Sequence, residues 1–450
     1  MRDVPAARTI KTPHWYQTEA IDSLYEYFQS STGNPLVALP GGTGKSFVIA
    51  SFIKSILERW PNQRILCATH VKTLIEQNYD ELTNLWPLAP SGICSAGLGS
   101  FDTSLPIVFG GVQSLVHRIA SVGHRDLLLI DEAHLLGPKA ESSYQKLIKG
   151  LMKINPHLKV VGFSATCWRL GQGSLTDDGL FTDITYDMTT LEGFHKLFKG
   201  GFLVPPVPPK DAVSQINLDG VKIDGWHYNA HELDAASNTD KINNQCCEEI
   251  VELFKDRHSW LIFTASIDHA EKINSILSGM GVDTEVVHSK KGDEHNDINI
   301  KLWKEGKRKC LVNKEMLTTG INNPRCDAIG CLRGMVSSAL WVQALSRGTR
   351  VYPANAKRDC LVADFAGNTK RLGPINDPKI PRKPGKGNVG TLPLRICKTC
   401  GTYNHASARF CWQCGAIFPV NSHLNIQASQ EEIVRGLRDY EVIRGGLRIV

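Results

Sequence analysis

Leu36-Val37-Ala38-Leu39-Pro40-Gly41-Gly42-Thr43-Gly44-Lys45-Ser46 is the stretch whose reading decides the fold. Four apolar residues run into a glycine-rich loop. Lys45 and Ser46 then open a segment whose apolar pairs, Val48/Ile49, Phe52/Ile53 and Ile56/Leu57, share one face of a helix. Pro61 follows its end. Strand, glycine loop and helix in that order form a phosphate cradle. Glycines let backbone N–H groups curl around phosphate oxygens, and the helix N-terminus adds partial positive charge. Gly42, Thr43 and Gly44 then surround the phosphates, Lys45 reaches the β- and γ-phosphates, and the Ser46 hydroxyl ligates Mg²⁺. The strict spacing asks for glycine at position 39, where Leu39 stands. A chance glycine turn is the competing reading, and the flanking strand and helix weigh against it.

Outward from the cradle, Leu127 to His134 reads LLLIDEAH. An apolar strand delivers Asp131 and Glu132 at its C-terminal end, where ligands bind in α/β sheets. Asp131 suits a Mg²⁺ contact and Glu132 the base that orients and deprotonates a water. A solvated acidic turn is the alternative. Apolar runs at 64–68, 107–109 and 160–163 add strands, and 71–86 reads as a helix. Continuous apolar strands separated by helices predict a parallel sheet covered on both faces. Residues 171–234 break the rhythm with Gly200-Gly201 and the run Pro205-Pro206-Val207-Pro208-Pro209. Strands at 260–264, 282–287, 310–312 and 360–363 then resume it. From 370 to 388 the chain is basic and rich in Pro and Gly, a linker by composition.

The expected class is therefore α/β, with two tandem parallel-sheet domains and a small C-terminal module. The expected layout is 1–200 first domain, 201–234 junction, 235–370 second domain, 371–392 linker, 393–418 cysteine module and 419–450 tail. The composition agrees: 450 residues with 42% hydrophobic and 21% charged suit several soluble domains. Lys+Arg exceed Asp+Glu by 51 − 45 = 6, which permits a polyanionic partner without demanding one. No run is long and apolar enough for a membrane span. The segment MRDVPAARTIKTPHWYQ lacks the apolar core of a secretory signal.

Of the 13 cysteines, most are scattered through apolar or mixed segments, which reads as a reducing compartment with buried thiols. The expected location is cytoplasmic. Cys397, Cys400, Cys411 and Cys414 are different, forming C-x2-C-x10-C-x2-C with Gly401 and Gly415 after each second cysteine. Paired knuckles suit tetrahedral Zn²⁺. So short a segment buries little core, and the metal would supply its folding energy. His405 is available as a ligand and is not needed.

More motifs follow in order. They are His14-Trp15-Tyr16-Gln17, Cys67 to Leu74 (CATHVKTL), Phe109 to Leu115 (FGGVQSL), Ser164-Ala165-Thr166, Trp260 to Thr264 (WLIFT), Leu317 to Asn322 (LTTGIN) and Gln343 to Arg350 (QALSRGTR). With the cradle and the acid-bearing strand, the chain resembles superfamily 2 helicases of the DEAH type, which hold ATP between two RecA-like domains. It is more closely similar to the RadD group of DNA-repair helicases. That similarity is carried by Ala165 to Gly171 (ATCWRLG), Gly201 to Pro205 (GFLVP), Leu311 to Pro324 and the cysteine module, and covers roughly residues 13 to 418. The compact length suits a phage-encoded member, acting in the host cytoplasm. His14, Asn322 and Ser346 depart from the usual Arg, acid and Gly.

The resemblance implies roles. Gln17 reads adenine, and Gly320 joins the nucleotide site. Gln343 places the water, and Arg347 and Arg350 act as arginine fingers, with ordinary helix-surface charge as the competing reading. His134, Ser164 and Thr166 relay the nucleotide state. His70, Lys72, Gln113, Ser114, Thr264 and Thr318 line a nucleic-acid groove, although each reads equally well as a surface residue. The implied cofactors are ATP, Mg²⁺ and Zn²⁺. The implied partner is DNA, single-stranded, forked or branched, met in repair, recombination or replication. The implied activity is ATP-driven unwinding or branch migration. An ATP-switched binder of nucleic-acid structures, and RNA as substrate, stay open, because backbone contacts rarely reveal the sugar.

Overall fold

The computed structural model describes residues 12–136, 142–169, 173–177, 180–210, 213–224, 227–317, 321–380, 394–405 and 408–418, with the backbone of 440–443 and 446–449. The first lobe begins with α1 (Trp15–Ser30), β1 (Pro35–Ala38), α2 (Lys45–Arg59), β2 (Ile65–Thr69) and α3 (Lys72–Leu85). Next come β3 (Ser91–Ser95), β4 (Ser100–Phe101), β5 (Ile107–Gly111), α4 (Val112–Val116), α5 (Ile119–Val122), β6 (Leu127–Asp131), α6 (Ser143–Ile154) and β7 (Lys159–Ser164). A small hairpin, β8 (Trp168–Arg169) with β9 (Gly173–Ser174), precedes β10 (Asp183–Asp187) and α7 (Leu191–Lys199).

Eight strands form one sheet in the order β10-β1-β7-β6-β2-β5-β3-β4, antiparallel only at β3–β4. Strands β1, β2 and β6 are buried at every residue. Helices cover both faces, so these strands read as unbroken apolar runs rather than alternating ones. All of the site-bearing loops leave from the C-terminal ends of these strands.

The second lobe opens with β11 (Pro206–Val207), the hairpin β12 (Ile223–Asp224) and β13 (His227–Tyr228), α8 (Ala230–Ser237) and α9 (Asp240–Phe254). It continues through β14 (Trp260–Phe263), α10 (Ile267–Gly279), β15 (Thr284–Val287), α11 (Asp293–Glu305), β16 (Cys310–Asn313), β17 (Ala328–Cys331), α12 (Ser338–Leu345), β18 (Cys360–Asp364) and α13 (Asn368–Leu372). Its main sheet has six strands, all parallel, in the order β11-β18-β17-β14-β16-β15. Two antiparallel pairs follow, β19 (Leu394–Ile396) with β20 (Tyr403–His405) and β21 (Tyr440–Ile443) with β22 (Gly446–Ile449). Among the described residues no helix is long and apolar enough to cross a membrane.

Three stretches depart from the sequence reading. Residues 171–200, where the apolar rhythm breaks, still hold regular elements. They supply β10 as an edge strand beside β1, and α7, whose N-cap Thr190 accepts from Gly193 and whose Phe194, Leu197 and Phe198 are buried. The strand Asp183-Ile184-Thr185-Tyr186-Asp187 is only half-buried, so it lacks the continuous apolar run that marked the central strands. Within the proline run, Pro206-Val207 forms the edge strand β11, a place where a missing N–H is tolerated. Residues 370–380, basic and read as linker, begin in α13 and pack against the core. Ile375 is 4% exposed, and the Arg371 guanidinium donates to Tyr228 Oη, Met335 O and Asn368 Oδ1. The rest of the predicted linker, 381–392, and most of the tail lie outside the described residues.

Candidate functional site

A cavity of about 870 Å³ lies between the lobes. Its walls include the loop from Pro40 to Ser46, Asp131 and Glu132 from β6, and Gln343, Ser346, Arg347 and Arg350 from the end of α12. Sequence positions some 300 residues apart therefore meet in one cleft. Helix α2 starts from Gly44, whose φ of 80° is one that a side chain rarely adopts. The loop is also gripped closely: a Cβ on Gly41 would stand 2.6 Å from Ser346 Cβ. The Thr43 carbonyl accepts from Tyr16 Oη at 3.1 Å and from Gln17 Nε2 at 2.9 Å. Gln17 Oε1 in turn accepts from the His14 N–H at 2.9 Å, so the Gln17 amide ties the start of α1 to the loop.

Charges inside the cleft are paired. Lys45 Nζ donates to Glu132 Oε1 at 2.9 Å, and His134 Nδ1 lies 3.3 Å from Glu132 Oε2. Burial works to raise the Glu132 carboxyl. Lys45, His134 and Arg347 outweigh it and hold the group below the ordinary glutamate range. Asp131 moves the other way, raised by burial and then by the Glu132 charge. Glu132 has φ 53°, an unfavourable left-handed conformation for a residue with a side chain. Such strain accumulates at functional sites.

Two further residues, which the sequence reading missed, hold Asp131 and the Ser46 hydroxyl in place. Gln77 Nε2 donates to Ser46 Oγ at 3.0 Å, and Asn78 Nδ2 donates to Asp131 Oδ2 at 2.9 Å. Asn78 sits on the buried face of α3 with Leu74, Ile75 and Leu82. A polar residue at an apolar-face position was the available signal. Ser46 and Asp131 both border the cleft, and this pairing of hydroxyl and carboxylate fits Mg²⁺, a hard cation that takes oxygen ligands.

From Arg347 and Arg350 the Nη1 groups both donate to the Ile321 carbonyl. Burial lowers Arg347 to about 10 and Arg350 to about 9, the latter also through the neighbouring Arg347. Both remain cationic at neutral pH. A polar line joins the lobes. Gln343 Nε2 donates to His134 Nε2 at 2.7 Å. His134 Nδ1 in turn lies 3.1 Å from Ser164 Oγ. Ser164 Oγ donates to Thr166 O at 2.6 Å. Elsewhere on the seam, Thr349 Oγ1 donates to Gly41 O at 3.3 Å and Trp168 Nε1 to Ser338 Oγ at 3.1 Å.

The six groove residues divide. His70 and Lys72 follow β2, and Gln113 follows its neighbour β5. All three are exposed. The His70 ring meets Tyr144 edge-on at 4.6 Å. Ser114 is buried and accepts from the Ala96 N–H at 2.9 Å. Thr264 is a correction. It is fully buried, its hydroxyl donating to Asn313 O at 3.1 Å, because the apolar strand β14 carries its own end into the core. Thr318 and Gly320 lie outside the described residues.

Cys397, Cys400, Cys411 and Cys414 place their Sγ atoms within 4.8 Å of one another, with pairs at 3.6 and 3.5 Å. Zn–S bonds of about 2.3 Å in a tetrahedron put sulfurs about 3.8 Å apart, so the four thiols fit the ion. The module is docked. Trp412 packs on Phe198 (5.5 Å between rings) and beside His195 (6.0 Å), and donates to Tyr403 O at 2.9 Å. A second cavity beside it is lined by Phe198 of the first lobe and by Leu345, Val362 and Thr369 of the second.

Two family models match the chain: "Type III restriction enzyme, res subunit" over residues 10–169 and "Helicase conserved C-terminal domain" over residues 242–352. Among relatives, the putative ATP-dependent helicase IRC3 of Saccharomyces cerevisiae is 24% identical over 381 residues, covering 81% of this chain and 53% of that protein. The chain thus spans about half the length of this relative. Among solved structures, a fragment of a putative HsdR subunit of a type I restriction enzyme from Vibrio vulnificus superposes with TM-score 0.62 at 19% identity, covering 83% of this chain and 69% of that one. The ATP-dependent Type ISP restriction-modification enzyme LlaBIII bound to DNA gives 0.58 at 14% identity, covering 80% and 28%.

Proposed function

We propose that this chain, an ATP-dependent helicase-like protein of the superfamily 2 type, hydrolyses ATP to move on or remodel DNA, with forked or branched DNA of repair, recombination or replication as its substrate. The observation that carries this reading is the cleft itself: phosphate loop and acids on one lobe face Gln343, Arg347 and Arg350 on the other. The choice of DNA, and of branch migration as an activity, rests on the RadD resemblance.

In the proposed cycle the triphosphate lies along the loop from Gly41 to Gly44, where the N–H groups and the start of α2 meet its oxygens. An arriving γ-phosphate competes with Glu132 for Lys45. The released carboxylate orients a water and takes its proton. The water oxygen bonds to the γ-phosphorus, and the bond to the β–γ bridging oxygen breaks, leaving ADP. Ser46 and Asp131 would hold Mg²⁺, which when bound neutralises charge on the β- and γ-phosphates. Arg347 and Arg350 supply positive charge from the opposite lobe as the transition state develops. The line Gln343–His134–Ser164–Thr166 registers whether the lobes are joined. Opening after hydrolysis breaks it, which gives a hinge cycle. The exposed His70, Lys72 and Gln113 offer phosphate contacts, for which sequence-independent, salt-sensitive affinity is expected.

The test is ATP turnover measured in parallel with single-stranded DNA, duplex, fork, four-way junction and RNA, alongside strand displacement. The reading predicts stimulation by fork or junction above plain duplex. Strongest stimulation by RNA would replace the substrate class. ATP-dependent binding without stimulated turnover would favour a nucleic-acid switch over a motor.

A further inference from the structure

The segment that joins the lobes also forms a wall of the cleft. Gly200, Gly201 and Phe202 line the same cavity as the phosphate loop. The half-buried Phe202 ring lies 4.9 Å from His14 and 5.3 Å from Tyr16, and His14 stacks on Tyr16 at 5.7 Å. These rings stand beside Gln17, whose amide bonds the loop at Thr43. An aromatic wall next to a hydrogen-bonding amide, within reach of a phosphate cradle, is the chemistry a nucleobase needs: a flat π-face against one side and polar partners at the edge.

The residues after Phe202 lead to the opposite charge cluster. Leu203 forms an isolated antiparallel bridge with Arg350, and the Val204 N–H donates to Thr349 O at 2.7 Å. A Cβ on Gly42 would stand 3.2 Å from Leu203 Cδ2 and 2.9 Å from Arg350 Cγ. Three consecutive residues thus touch the aromatic wall, the phosphate loop and the segment Thr349-Arg350. Gly201, with φ 68° and open space around its Cβ position, gives the segment a pivot.

We propose that Phe202 is the residue on which the nucleotide base stacks, and that Leu203 and Val204 carry base occupancy to Arg350. Phe202 is then a positioning residue for hydrolysis as well as a determinant of affinity. The inference rests on the ATP reading of the cleft. It adds a consequence: a triphosphate without a base fills the cradle and leaves Arg350 poorly set.

The experiment compares ATP with inorganic tripolyphosphate on the full-length wild type, Phe202→Leu and Phe202→Trp, measuring dissociation constants by calorimetry and turnover at saturation. Leucine keeps the apolar bulk against His14 and Tyr16 but removes the π-face. Phe202→Leu is expected to weaken ATP about 10-fold while leaving tripolyphosphate unchanged. The wild type should turn over ATP faster than tripolyphosphate, and the leucine variant should narrow that ratio. Phe202→Trp should restore ATP affinity. Unchanged ATP affinity in Phe202→Leu, or equal weakening of both ligands as a packing role would give, overturns the inference while leaving the cleft reading intact. A wild type that binds neither ligand overturns the cleft reading and the inference together, and needs no variant to reveal it.

Discussion

Replacing Gln343 by Leu removes the donor that spans the seam. The 2.7 Å pairing with His134 Nε2 is lost inside a site where Gln343 and the His134 side chain are each 8% exposed. A net hydrogen bond contributes about 1 kcal/mol. The joined state should lose about 1 kcal/mol, which is about 5-fold in its equilibrium constant against the open state. If the joined state is the one that hydrolyses ATP, turnover at saturating ATP falls by that factor. ATP affinity, set mainly by the first lobe, stays within about 3-fold. His134→Ala should act similarly and somewhat more strongly, since it also removes a neighbour 3.3 Å from Glu132. The decisive comparison is the double variant. Two groups that act only through each other give a double variant no worse than the more severe single one, a coupling of about 1 kcal/mol. Effects on turnover that simply multiply would refute the idea that this bond transmits lobe closure.

Three other outcomes follow from the same geometry. Lys45→Ala and Glu132→Gln should each abolish DNA-stimulated ATP hydrolysis, and Glu132→Gln should still bind ATP because the phosphate loop is intact; retained turnover in either, followed by phosphate release, would remove that residue from the chemistry. Metal analysis should find about one zinc per chain, lost in a Cys397→Ser/Cys400→Ser variant, in which Trp412 emission shifts to the red as the ring leaves Phe198; full zinc retention would dismiss these ligands. The His269 imidazole is held down to about 4 by burial, against the ordinary 6.5, with Asp234 and Asp268 pulling the other way. Its folded value is depressed, so the unfolded chain takes up the proton first: stability is complete above pH 6.5 and falls as pH drops towards 4. The loss is at most about 3 kcal/mol. Urea midpoints between pH 7 and 4.5 should show His269→Gln with a flatter acid limb; parallel limbs would assign the loss elsewhere.

What the sequence reveals depends on how local the causes are. The two-lobed α/β class is legible because β1, β2, β6 and β14 are covered on both faces and therefore apolar throughout. The phosphate loop concentrates its chemistry in consecutive residues, so position alone marks it. Edge strand β10 is half-exposed and carries no such run. Residues 370–380 look like linker until Arg371 is seen bonded to Met335 O and Tyr228. Gln77, Asn78 and Phe202 act singly, and only the folded cleft gives them partners. Thr264 shows the converse error: a motif position assigned to a groove is, in this chain, sealed by its own strand. The linker-like composition and the hydroxyl each describe a residue's chemistry correctly and its neighbours wrongly.

The account depends most on a triphosphate being shared by two lobes, and Arg347→Gln tests this directly. ATP binding and ATP turnover should be measured on the same preparation with saturating forked DNA. The predicted result is near-normal ATP binding, because Lys45 and the loop are untouched, with turnover reduced at least about 1,000-fold, as for an arginine finger. Turnover at the wild-type rate would contradict the account, since the second lobe would then contribute no charge to the reaction.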